Sequence, residues 1–433
     1  MHIQSRTAMV DAFKLAVFAD NVREVTTMLD TQEPVRRVLN EPMFEWGLPP
    51  LGAARSTIMA DLLLRYGADI DVLSHWWRSG LWVIESIETF IGRHLVRQGA
   101  VLTVHAAAAL GLSDHLEPML NNNKTLANMP NDDGCRPLHF ARTPEIAALL
   151  IHAGAEVNVL DDDHDSSPIQ WRIGDGPEVP RYLLAHAAVP DIFVAAALGD
   201  SDLTLNLINA DPACVAYRIG SNRGPFPGIG FQGNAGTILQ WSVGFNLSPH
   251  ETALRFGHQA LFDLLWSHSP VKTRFLVACM CADRPTAEAI KSKHPHIIGS
   301  LDDEDLALLT KCCSDTNYNL KAVRLMLDLG FPVATNHSDN ECSSLHHAAS
   351  CGYADITALL LKHGHPPDFP DENEGTTPLQ SAVYGAIKAK RHPEGNYARV
   401  VHLLLEFGAT VPENMYPTGD SKIDKVLASV VQS

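Results

Sequence analysis

The sequence predicts an all-α solenoid, in which short helix-turn-helix units stack end to end and hairpin-like loops join them. Three observations predict it. The first is the stretch from Cys342 to Gly364, CSSLHHAASCGYADITALLLKHG, which holds two short helical patterns back to back. Ser344 opens the first pattern, and the small pair Ala348 and Ala349 lets another helix approach closely. Gly352 breaks the pattern, Asp355 is placed to cap a second helix, and Ile356, Leu359 and Leu360 follow helical spacing. Gly364 stands where a left-handed C-cap is wanted. The second observation is recurrence: RPLHFARTPEIAALLIHAG at 136–154, PLGAARSTIMADLLLRYG at 50–67, and TTPLQSAVYG plus ARVVHLLLEFG within 376–408 repeat the pattern. The third is a shared tail, GADIDV at Gly67–Val72, GAEVNV at Gly154–Val159 and GATVP at Gly408–Pro412. A unit this small cannot hide its apolar face alone and needs a neighbour on each side.

Taken in order, residues 8–39 predict an N-terminal capping helix pair, with Phe13, Leu15, Val17, Val22, Val25, Met28 and Leu29 facing inward. A first block of units spans 40–218, with a degenerate one at 71–100 that carries Trp76, Trp77 and Trp82. From 219 to 236 the period fails in IGSNRGPFPGIGFQGNAG, whose glycines and two phenylalanines, Phe226 and Phe231, predict a functional insertion loop. A second block covers 237–412, degenerate at 273–335 and interrupted by AIKAKRHPEGNY within its last unit. The chain closes at 413–433, where Ile423, Val426, Leu427 and Val430 mark one face of an amphipathic helix. The whole, 1–433, reads as a single array.

The T-P-L-H-like openings, L-L runs and G-A-x-V-N tails resemble the ankyrin repeat, in a bacterial-type, ankyrin-only form with several degenerate units. The resemblance implies a dozen or so units, each with a hairpin loop. It also implies a groove lined by the first helices and hairpin tips, and an opening histidine bonded to the neighbouring hairpin.

Composition narrows the function. A net charge of −17 and the lack of a basic stripe exclude a general nucleic-acid or acidic-membrane partner. No run is apolar enough to span a bilayer, and Asp11, Lys14 and Asp20 interrupt any N-terminal signal core. The eight cysteines follow no framework or C-x-x-C spacing, so buried, reduced thiols in a cytoplasmic protein are expected, with no metal and no cofactor. No G-x-S-x-G, P-loop, H-E-x-x-H or dinucleotide motif is present.

The expected function is recognition of a partner, foremost a protein, on the concave face. Tryptophans are common anchors of interfaces, and Trp171 and Trp241 each follow a glutamine, Gln170 and Gln240. Candidate binding residues are Trp77, Arg78, Trp82, Asp163, His164, Trp171, Arg172, Trp241 and His347. A second reading is an enzyme acting in the trough on a small polar or carbohydrate ligand. Tryptophan platforms would stack the substrate, and Asp163, His164, His250 and Glu251 would do acid–base work. In that reading the 219–236 loop is a lid. Glu251 also has a capping explanation, since it stands at the start of a helix after Ser248-Pro249 and gains from the helix N-terminus.

Overall fold

The computed structural model describes residues 3–44, 47–74, 84, 87–221, 224–228, 236–334, 342–372, 374–389, 392 and 394–431. Its regular elements are helices, and the described residues form no β-sheet. The chain is an all-α repeat protein with two compact units. One comprises 1–194 with 228–243, and the other comprises 195–227 with 244–433.

In the first unit, helices Ile3–Phe18 and Val22–Thr31 form the opening pair. Phe13, Val17, Val25 and Leu29 are fully buried, whereas Leu15, read as inward, is 66% exposed. Leu15 lies two residues from both Phe13 and Val17, and on a helix a two-residue step leads to another face. Further along, an inner row runs from helix Val104–Leu110 through the 3-10 turn Pro137–Phe140 to helices Pro168–Arg172 and Leu239–Ser242. An outer row runs through Ser113–Asn122, Pro144–His152 and Glu178–Ala185. The two Gln-Trp openings therefore sit on neighbouring inner helices, and the Ser242 hydroxyl donates to the Gln170 carbonyl at 2.9 Å.

In the second unit, inner helix Ser344–Ser350 packs on inner helix Pro378–Tyr384, and outer helix Ala354–Lys362 on outer helix Tyr397–Glu406. Helix Ser421–Val431 closes this stack with Ile423 and Leu427 buried against Tyr397–Glu406. Asp355 sits inside the first turn of its helix rather than at the cap, which falls on Tyr353. There its charge faces the helix N-terminus, and its carboxylate accepts the Tyr318 hydroxyl.

Local chemistry explains the recurring motifs. Four of the openings are capping boxes with proline or serine at the first helical position. Thr377 pairs with Gln380, Ser167 with Gln170, Ser248 with Glu251 and Ser343 with His346. Where the box ends in histidine, the ring also reaches the next hairpin. His346 Nε2 donates to the Thr376 carbonyl at 2.8 Å, and His139 Nε2 to that of Ser166 at 3.2 Å. Gln170 does both tasks differently, since its oxygen accepts from Ser167 N and its amide donates to Asp191 at 2.8 Å.

The G-A-x-V-N tail has two functions. Gly154 and Gly364 take positive φ after the outer helix, and the following N–H reaches back to close a Schellman turn, as Ala155 N does to Leu150 O at 2.9 Å. The Asn or Asp at the tail's end then clasps the next tail. Asn158 donates to Ala187 O and accepts from Val189 N, and Asp71 accepts from Val101 N. Asp368 does the same for Thr410 N across the longer insertion-bearing unit. These rungs, with the histidine-to-hairpin bonds, couple each unit to the next.

Candidate functional site

A cavity lies in the second unit, a groove of about 1060 Å³ along its last repeats. Its floor comes from the two inner helices. Ser344–Ser350 contributes His347 and Ser350, one turn apart, while Leu345, Ala348 and Ala349 point into the core. Pro378–Tyr384 contributes Ser381 and Tyr384 with the same spacing, and the following π-turn Gly385–Ala389 adds Ile387. The backbones come especially close at the start of the π-turn: a Cβ on Gly385 would stand 2.0 Å from the Ser350 carbonyl oxygen. One rim is the hairpin tip with Glu374 and Thr376. A second rim is Pro412–Thr418, contributing Glu413, Asn414, Met415 and Pro417. This strap is fastened to the closing helix by Asp424, whose carboxylate accepts from Thr418 N and Oγ1 at 2.7 Å each. Those bonds hold the Asp424 carboxyl below the usual range.

Sequence reading reached His347, which lines this groove, but it passed over Ser350, Ser381, Tyr384, Ile387, Glu413 and Met415. The available signal was the face of each inner helix opposite its buried positions: Tyr384 remains 59% exposed.

The other candidates lie elsewhere. Asp163 and His164 form a hairpin tip in the first unit, organised by Asp161. The Asp161 carboxylate accepts from Asp163 N at 3.0 Å, Ser166 N at 3.1 Å and the Trp171 indole N–H at 2.9 Å. His164 Nδ1 donates to Gly236 O at 2.8 Å, and its Nε2 lies 3.5 Å from the Asp163 carboxylate. Trp171 also meets the rings of His164, Phe140 and His139, with centroids 5.5, 5.7 and 6.0 Å away. Burial, then Asp163, holds the Asp133 carboxyl above its ordinary range. Arg172 pairs with Asp175 at 2.9 Å, and burial lowers its pKa. Trp241 is 43% exposed. Trp77, Arg78 and Trp82, with Phe231 of the insertion, lie outside the described residues.

His250 and Glu251 belong to the second unit. His250 is fully buried and donates from Nε2 to Ser269 Oγ at 2.9 Å, with Nδ1 unpartnered. Burial pushes its pKa down to about 4. Glu251 accepts from Ser248 N and Oγ, completing the capping box, and pairs with Arg218 at 3.0 Å. The base of the insertion is anchored, with Ser221 donating to Glu304 and Phe226 buried against Tyr217.

All eight cysteines are free thiols, six of them buried. Among the described residues, no three His, Cys, Asp or Glu side chains are grouped to hold a metal ion. No helix among them is long and apolar enough to cross a membrane.

A family model for ankyrin repeats matches residues 308–414 in three copies, a stretch that contains most of the groove. The stacked helix pairs, capping boxes and histidine-to-hairpin bonds carry the same architecture, and the protein is an ankyrin-repeat protein. No curated protein matches the chain in sequence. Ankyrin repeats generally mediate interactions between proteins.

Proposed function

We propose that the chain is a scaffold that seats a partner protein on the face built from its inner helices and hairpin tips, with the groove at 342–418 as the principal seat. One observation carries this reading. The motif polar groups are consumed by capping boxes and ladder rungs, yet Tyr384 stands 59% exposed over a groove of about 1060 Å³. A large aromatic held at the edge of a cavity is a typical interface anchor. Trp241, 43% exposed, would be a separate anchor in the first unit. In this reading the array is continuous from 1 to 433, with 8–39 and 413–433 as its caps.

The test is site-specific crosslinking. A photoreactive residue at Ser381 is expected to capture one protein that the same residue at the outer-helix position His402 does not. Equal capture at both positions, or none at Ser381, removes the groove from the function.

A further inference from the structure

The partner's chemistry is legible in the groove, and the inference rests on the reading just given. Formal negative charge stands on both rims, at Glu374 and Glu413, and both side chains are exposed. No lysine or arginine is among the described residues that line the cavity. Asp371 and Glu372 precede Glu374 in the same hairpin tip. Asp371 accepts from Glu374 N at 2.7 Å, which turns the tip in on itself and leaves Glu374 at the cavity.

Between the rims the surface changes character. Val383, Tyr384, Ile387, Met415, Pro412 and Pro417 supply apolar wall, interrupted by the hydroxyls of Ser350 and Ser381. Carboxylates on the rims of an apolar trough select a ligand with cationic tips on aliphatic stems. Lysine and arginine side chains have that form, since their methylenes pack on apolar surface while the charged end reaches a carboxylate. Tyr384 offers such a cation an exposed aromatic ring as well. A protein surface with a net charge of −17 also draws basic partners from a distance.

We propose that the groove at 342–418 takes an extended peptide segment of the partner in which lysine or arginine alternates with apolar residues, its cations bridging Glu374 and Glu413 and its stems lying against Tyr384, Ile387 and Met415.

The probe is a display library of random linear peptides panned on the full-length chain, followed by anisotropy titrations of an enriched peptide and of its Lys/Arg→Gln counterpart. Enrichment of basic-apolar sequences is expected. The Glu374→Gln/Glu413→Gln double variant should weaken the enriched peptide about fivefold to tenfold, the sum of two partly exposed charge pairs. Raising the salt concentration should have the same direction of effect. Tyr384→Ala should weaken both peptides alike. All these positions are at the surface, so an unchanged melting temperature checks the fold. Enrichment of neutral or acidic sequences that still depend on Tyr384 overturns the cationic assignment and leaves the groove as a protein seat. Peptide binding that ignores Tyr384, Glu374 and Glu413 together, or no enrichment at all, overturns both.

Discussion

Acid should loosen the second unit well before its carboxylates protonate. His250 and His365 are both buried, and each keeps one ring nitrogen without a partner. In His250 that atom is Nδ1, because Nε2 donates to Ser269; in His365 it is Nε2, because Nδ1 donates to the Pro366 carbonyl at 2.9 Å. A proton arriving at either bare nitrogen brings a charge into a site with nothing to solvate it. Arg218 works further against the charge on His250, and His346 against that on His365. Burial therefore leads both pKa values down to about 4, against the ordinary 6.5.

The sign follows directly. Below pH 6.5 the unfolded chain binds protons that the folded unit refuses, so stability is intact above that pH and falls as acid is added, until the folded values near 4 are reached. Each ring then removes about 2 kcal/mol at pH 5 and about 3 kcal/mol at pH 4. Two rings at pH 5 amount to about 4 kcal/mol, which is about 8–16 °C of melting temperature for a unit of this size. His346 adds to the effect in this unit, and His139 acts likewise in the first, because burial lowers their pKa values as well. In both, Nδ1 already accepts a backbone N–H, from Ser343 and Arg136, so a proton there places donor against donor. The assay is a melting curve at pH 7.5 and at pH 5, for the native chain and for His365→Ala. Alanine is the residue that follows the tail glycine in the other units, as at Ala68, Ala155 and Ala409. The variant should lose about 2 kcal/mol of the pH dependence, whatever it does to stability at pH 7.5. An unchanged pH dependence in His365→Ala, or a His365 ring that titrates near 6.5 by NMR, would refute the reasoning.

Three further outcomes are expected. Asn158→Ala removes a rung that both donates to Ala187 and accepts from Val189; at an exposed position the loss should be about 1 kcal/mol, read as a urea midpoint shift without change in slope. Trp171→Ala should cost about 2–4 kcal/mol, because its ring fills space among Phe140, His139 and His164 and its N–H holds Asp161, whereas Trp241→Ala should leave the melting temperature within about 1 °C. Gly385→Ala puts a methyl 2.0 Å from the Ser350 carbonyl, and the inner helices must part; a loss of about 1–3 kcal/mol is expected in the thermal midpoint, together with weaker binding of any peptide held in the groove.

The repeats were legible because their motifs are local chemistry. Ser343 and His346, or Thr377 and Gln380, stand three residues apart in the sequence and close a capping box in the structure. Gly154 and Asn158 have fixed offsets because a Schellman turn and a ladder rung need them. Leu15 was misread because hydrophobicity alone does not say which face of a lone terminal pair meets a neighbour. Likewise, the pairing of Gln170-Trp171 with Gln240-Trp241 was hidden by the residues between them, since only tertiary contact makes Leu239–Ser242 the neighbour of Pro168–Arg172.

The groove was harder to find for a reason that follows from the same chemistry. A motif marks positions whose backbone or neighbour demands one residue type, and such positions are by that fact already engaged. His346 is bonded at both nitrogens, to Ser343 and to Thr376, and has no capacity left for a ligand. His347, one residue on, turns to the cavity, and nothing in the repeat specifies it. The same holds for Ser381 beside Gln380 and for Tyr384 at the end of that helix. These two inner helices thus carry two sets at the cavity, residues that build the array, such as His346 and Gln380, and residues beside them, such as His347 and Ser381. Conspicuous polar residues such as Glu251 and Trp171 belong to the first set because their polar atoms already have partners. In this fold the place to look for specificity is the unremarked residue one step beyond the motif.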